Sequence, residues 1–185
     1  SCGSLPIELQ TTKNIFALMF LLRGIPFVDL AYLRKADIQG NTLKYRRRKT
    51  GRLLTVMLTP DAIKLIRIVA KTKPESPYLF PFLSSPEGTE AAYHEYQSSL
   101  RMFNYRLSRL KKYMKTAAHL SSYTIRHTWA TMAYYCEIHP GIISEAMGHS
   151  SIKVTETYLK PFQNEKIDNA NSQVISYVKE YASIV

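Results

Sequence analysis

The chain has 185 residues and a formal net charge of +11. That length is enough for one domain with a substantial core, and the basic excess favours a polyanionic partner, either nucleic acid or an anionic membrane. The longest apolar run, Ile15 to Leu22, is about eight residues, whereas a membrane span needs about twenty. No basic-then-apolar leader opens the sequence, so an intracellular protein is expected. Its two cysteines fit a reducing compartment and have no metal-ligand spacing. Cys2 lies in a terminal tail, and Cys136 sits in an apolar helical pattern that predicts a buried free thiol.

Residues 8–22 carry Ile15, Leu18, Met19 and Leu22 at helical spacing, and Gly24 follows where a helix C-cap belongs. Pro26 is placed to open the next helix at its first position, with Phe27, Leu30 and Leu33 as its apolar side. Residues 41–58 predict a β-hairpin with arms 42–48 and 53–58, joined through Lys49-Thr50-Gly51-Arg52. Thr59-Pro60 predicts a capped start to a short helix over 61–70. The stretch 71–86, rich in proline, lysine and serine, predicts a surface loop whose segment 78–82 tucks into the core. A long helix over 93–115 sets Leu100, Phe103, Leu107, Leu110 and Met114 in one stripe, with Arg106, Arg109 and Lys112 on a neighbouring face. Further helices are predicted over 122–135, 140–147 and 151–159, the last bearing Tyr158. A final one over 169–182 puts Val174, Val178 and Tyr181 on one face. Gly148 ends the 140–147 helix and leaves His149 just beyond it. The fold class predicted is mainly α-helical with a small antiparallel β-hairpin or sheet, in one domain.

An arginine, a histidine and a tyrosine recur in Tyr123-Thr-Ile-Arg126, Met147-Gly-His149 and Tyr158. Arginine offers phosphate a planar fork of donors, histidine a hydrogen bond or a proton, and tyrosine an oxygen nucleophile able to bond phosphorus. Together they point to phosphoryl transfer on nucleic acid through an enzyme-linked intermediate. Cutting DNA with metal ions needs clustered carboxylates, whereas Asp29, Asp37, Asp61 and Asp168 are dispersed along the sequence; neither a metal nor a cofactor is expected.

The order of these motifs resembles the catalytic core of the tyrosine recombinases, or phage-type integrases. In that family a His-x-x-Arg box precedes Leu-Gly-His, and the nucleophilic tyrosine follows that histidine by nine residues, the spacing of His149 and Tyr158 here. The family's general-acid lysine lies in a Lys-Thr-Gly turn, matched by Lys49-Thr50-Gly51. Residues 25–30 and Asp37 resemble the segment holding the family's first arginine. This sequence departs twice. Tyr123 stands where the box has its histidine, and Pro26 where the first arginine falls. Arg23, across the Gly24 turn, is the candidate replacement, with Arg46, Arg47 and Arg48 as alternatives. The run from Arg23 to Leu30 resembles the integrases of Bacteroidetes-type mobile elements.

The resemblance implies site-specific DNA recombination or integration through a 3′-phosphotyrosyl link. It implies a catalytic set of Tyr158, Arg126, His149, Lys49, Arg23 and Tyr123. The whole protein is expected to work on double-stranded DNA as a homotetramer in the bacterial cytoplasm, associated with the nucleoid, with accessory DNA-bending proteins as possible partners and no membrane. This chain is then the catalytic domain without the family's N-terminal DNA-clamping domain, and its last helix would dock on a neighbouring subunit or on its own core. A type IB topoisomerase-like enzyme that nicks and reseals one duplex is one alternative; a non-catalytic DNA-binding module is another.

In this scheme Arg126 and Arg23 neutralise the nonbridging oxygens of the transition state and His149 adds a donor. A phenol ordinarily titrates near pH 10, so nearby cations must favour the ionised Tyr158. Lys49 protonates the departing 5′ oxygen. Several alternatives stay open. Tyr123 reaches the phosphate or only packs. Arg23 binds phosphate or caps its helix. Asp29 orients an arginine or caps its helix. His127 is expected to make a structural hydrogen bond and point elsewhere. Arg46, Arg47, Arg48, Arg52, Arg106, Arg109 and Lys112 are expected to contact the DNA backbone, although a basic stripe on a helix is also a common solvated face.

Overall fold

The structure is a computed structural model that describes residues 5–115, 117–159, 162 and 164–182, with the side chains of 181 and 182 left aside. Cys2 and the side chain of Tyr181 lie outside the described residues. Helix α1 (Ile7–Leu21) is the hub: its buried Leu9, Ile15, Leu18 and Met19 pack it against three other helices. Those are α3 (Pro60–Val69), α4 (Glu90–Met114) and α5 (Thr124–Tyr135). The remaining helices are α2 (Phe27–Ala31), α6 (Pro140–Met147), α7 (Ile152–Glu156) and α8 (Asn164–Ala182). Among the described residues no helix is long and apolar enough to cross a membrane.

Local chemistry sets most helix ends. Thr59 and Thr89 accept backbone N–H bonds from Ala62 and Ala92, each 3.2 Å, which caps α3 and α4. The α4 cap lies one turn earlier than the apolar stripe indicates. Pro26 is the residue before α2 instead of its first member, and α2 stops at Ala31, short of Leu33. The Tyr158 helix is also shorter than predicted. It ends at Glu156, so Tyr158 sits in the turn that follows.

The sheet has three antiparallel strands in the order β1 (Ile38–Gln39), β2 (Thr42–Arg46) and β3 (Leu53–Met57). The short strand β1 adds an edge to the expected hairpin. Alternation sends Leu43, Tyr45, Leu54 and Val56 inward and leaves Lys44 and Arg46 on the outer face. As expected, the loop segment folds inward, with Tyr78, Leu79 and Phe80 buried.

Two expectations of burial fail. Cys136 is exposed, because α5 ends at Tyr135 and the thiol falls on the cap residue beyond the packed turns. Met114 is exposed as well, because the stripe on α4 runs past the core after Leu110. On α8, Val174 and Val178 are exposed.

Apolar packing forms a main core around α1 and a smaller cluster of Ala130, Ala133, Ile143 and Met147, against which Tyr158 rests. Helix α5 joins them, giving Ile125 to the first and Ala130 to the second. Arg126 lies on that seam.

Candidate active site

Arg126 is 3% exposed, and backbone carbonyls hold its guanidinium. Its Nη1 donates to the Gly24 oxygen at 2.9 Å and its Nη2 to the Met147 oxygen at 2.6 Å. The α1–α2 turn and the end of α6 therefore fix one fork, and guanidinium donors remain for a ligand. Burial, and then the charge of Arg47, lower the Arg126 pKa, while the neighbouring Tyr158 hydroxyl raises it. Gly24 belongs to this arrangement. A Cβ there would lie 3.0 Å from the Arg126 Cα and 3.2 Å from the Trp129 Cβ.

Gly148 closes α6 in the left-handed conformation, φ +64°, where glycine is favoured. It also lets Arg47 approach, since a Cβ would meet the Arg47 Cγ at 2.8 Å. The next residue, His149, is buried. Its Nδ1 is 2.8 Å from the Thr155 hydroxyl, and its Nε2 is buried without a hydrogen-bond partner. Burial, then the charges of Arg126, Arg47 and Lys49, push the His149 pKa down to about 4.

That shift has a measurable consequence. An unfolded histidine takes up its proton near pH 6.5, and folded His149 only near 4. Between those values the unfolded chain binds more protons, so stability falls as pH drops from about 6.5 towards 4. His127, also lowered by burial and by Arg126, adds to the same trend. His149→Gln should flatten the melting temperature across that window. An unchanged pH slope would show that the buried imidazole is not linked to folding.

The Tyr158 ring contacts two imidazoles, with its centroid 5.2 Å from that of His149 and 4.2 Å from that of His127. Thr131 donates to its backbone oxygen at 3.1 Å. Its hydroxyl is 2.9 Å from that of Tyr123. His127 thus does not point elsewhere, and the Tyr123 hydroxyl has a hydrogen-bond partner in Tyr158.

The hairpin docks on the same place. The Thr50 hydroxyl donates to the Gly148 oxygen at 3.1 Å, and Arg52 Nη1 to the His149 oxygen at 2.7 Å. These bonds hold the turn carrying Lys49, whose charge is felt at His149.

Three arginines differ from the expected outward backbone contacts. Arg47 is 6% exposed and forms a buried ion pair with Asp29, while its Nε is buried without a partner. Strand alternation places it inward, after Leu43 and Tyr45. Arg48 pairs with Glu87, lies over the Tyr32 ring at 3.7 Å, and donates its backbone N–H to Asp29. Arg109 is half-buried and pairs with Glu8 at 3.4 Å. Asp29 therefore orients an arginine, with no side-chain cap on its own helix. Arg46, Arg52 and Lys112 are exposed and Arg106 is half-buried. Arg23 is half-buried with φ +60°. Its charge acts on Tyr45, whereas that of Arg47 acts on Tyr45, Arg126 and His149 alike. Sequence reasoning missed Thr155, which nothing in its neighbourhood singles out. It also missed the inward place of Arg47, which the strand alternation encodes.

The structure thus gathers Arg126, His149, Tyr158 and Tyr123, with Lys49 and Arg47 beside them. The sequence model of the Phage integrase family matches residues 8–165, and the chain belongs to that family. Comparison with curated proteins gives no match. Solved structures do match. XerA recombinase has TM-score 0.59 at 16% identity, over 91% of this chain and 64% of that one. The Tn1549 transposon integrase, in complex with a circular intermediate DNA, has TM-score 0.62 at 16% identity, over 89% and 59%. XerH site-specific recombinase, bound to palindromic difH substrate in a post-cleavage complex, has TM-score 0.63 at 16% identity, over 92% and 47%. At these identities the likeness concerns the fold, and the chain spans less than two thirds of the length of each.

Proposed function

We propose that this domain cuts and rejoins DNA strands in site-specific recombination, through a covalent link between Tyr158 and a 3′ phosphate. The observation that carries the proposal is the Tyr158 hydroxyl held beside buried Arg126, with the unpartnered Nε2 of His149 in the same site. Tyr158 attacks phosphorus. Arg126 and a second arginine take the nonbridging oxygens, and we assign that second place to Arg47, because its charge reaches both Arg126 and His149. Arg23 is the competing candidate. In the tautomer whose Nδ1 accepts from the Thr155 hydroxyl, neutral His149 presents its Nε2–H to the developing charge. Preorganised donors of this kind are each worth about 3 kcal/mol of barrier. Lys49, on its anchored turn, gives a proton to the departing 5′ oxygen. The phosphotyrosyl link retains the energy of the broken bond, so the 5′ hydroxyl of a second strand displaces Tyr158 without a nucleotide cofactor.

Double-stranded DNA is the substrate in this proposal, with Arg46, Arg52, Arg106 and Lys112 as backbone contacts. A DNA-clamping domain outside this chain and a tetramer on two duplexes belong to the same scheme, as does docking of α8 on a neighbouring subunit. The whole protein, given two distinguishable duplexes that carry its site, should produce recombinant strands joined across them. Relaxation or resealing of a single duplex with no joined product would assign it to topoisomerase-like chemistry instead.

A further inference from the structure

We propose that Tyr123 donates a hydrogen bond to the Tyr158 oxygen and stabilises it as it becomes the attacking anion. This rests on Tyr158 being the nucleophile. The two hydroxyls are 2.9 Å apart, so one donates and the other accepts. The Tyr158 ring is in contact with the imidazoles of His127 and His149, and Thr131 binds its backbone oxygen. The Tyr123 hydroxyl bears on the reacting oxygen itself. Tyr123 itself is anchored by its place at the start of α5 and by an edge-on contact with His127, with centroids 4.5 Å apart.

Which oxygen carries the charge follows from the reaction. Tyr158 is the group that bonds to phosphorus, so anionic character develops on its oxygen and Tyr123 remains the protonated donor. The Tyr123 pKa is raised, first by its hydrogen bond to Tyr158 and then by burial, while the charge of Arg126 acts on it in the opposite sense. Among the described residues, the other charged or titratable groups around the site include His127 from α5, His149 after α6, Arg47, Lys49 and Arg52 from the hairpin, Tyr45 from β2, and Arg23 between α1 and α2. Burial lowers both histidine pKa values, so neither titrates between pH 7 and 10. In the step itself the Tyr158 oxygen bonds to phosphorus and its proton passes to water. The bond from phosphorus to the 5′ oxygen breaks, and that oxygen takes a proton from Lys49. Tyr123 keeps its proton throughout. A hydrogen bond that strengthens as its acceptor becomes charged favours the transition state over the ground state.

The test is single-turnover formation of covalent protein–DNA, with a pool of nicked duplexes of randomised sequence as probe. Sequences captured by the unaltered protein are recovered and used for rate measurements from pH 6 to 10. Tyr123→Phe should slow adduct formation by about tenfold to a hundredfold near neutrality, the worth of one hydrogen bond to a charged group. The deficit should shrink as pH approaches the phenol range near 10, and Tyr123→His, which restores a donor, should recover most of the rate. A Tyr123→Phe rate equal to that of the unaltered protein, or a deficit constant to pH 10 and not relieved by histidine, would reduce Tyr123 to packing and overturn the proposal. Adduct on Tyr123 itself would overturn it too. Absence of adduct with the unaltered protein, or its persistence at a third residue, would instead overturn the assignment of Tyr158 on which the proposal stands.

Discussion

Tyr158→Phe should abolish covalent protein–DNA while leaving folding and DNA affinity nearly unchanged. The substitution deletes one oxygen, and the groups that position the ring do not depend on it. The phenylalanine ring keeps the contacts with His127 and His149, and Thr131 still bonds the main chain. The hydroxyl's contacts to Tyr123 and Arg126 are lost, and at a half-exposed place a hydrogen bond contributes about 1 kcal/mol. The chemical loss is complete, because no phosphotyrosyl bond forms without the oxygen. Thermal melting and gel-shift titration check the controls. Residual adduct at more than about a thousandth of the normal rate, below the loss expected when a nucleophile is removed, would point to another nucleophile.

The second large effect concerns Arg47. Arg47→Ala would leave Asp29 charged and buried without its partner, which costs about 3–5 kcal/mol, so loss of activity would be confounded with unfolding. Replacing both members by apolar residues, Arg47→Met with Asp29→Leu, avoids the orphaned carboxylate, since such swaps are often neutral in stability. The double variant should fold, bind DNA, and cleave about 10²- to 10³-fold more slowly, as when one transition-state donor is removed. Arg47→Lys should recover little of that rate, because a point charge cannot reproduce the planar fork. Arg23→Ala, tested beside it, should cost much less. The reverse ranking would move the second phosphate contact to the α1–α2 turn and leave Arg47 a structural residue.

Local rules were enough for the parts of the fold governed by one short segment. Thr59-Pro60 marks the start of α3, Gly148 marks the end of α6, and Lys49-Thr50-Gly51 marks the hairpin turn. The constellation of Arg126, His149 and Tyr158 was read from its resemblance to the family's motifs, and the structure brings the three side chains together. What sequence reasoning misplaced depends on distant partners. Arg47 belongs to an arginine run that looks solvated, yet strand alternation turns it inward and a carboxylate eighteen residues earlier receives it. Asp29 had two readings, an arginine's partner or a helix cap, and the buried pair with Arg47 selects the first. Cys136 and Met114 follow helical apolar patterns but lie where those helices leave the core. His127 seemed to face away because α5 was considered alone. The turn after α7 brings Tyr158 onto the same face. Thr155, the buried partner of His149, carries no signal in the sequence.

The most direct test of the central claim is to trap the protein on nicked duplexes in excess chelator, digest the adduct, and locate the nucleotide-bearing peptide by mass spectrometry. In the proposed mechanism charge neutralisation comes from arginine, lysine and histidine, so the adduct should form in chelator and map to Tyr158. An adduct on any other residue, or one that disappears in chelator and returns with magnesium, would contradict the mechanism.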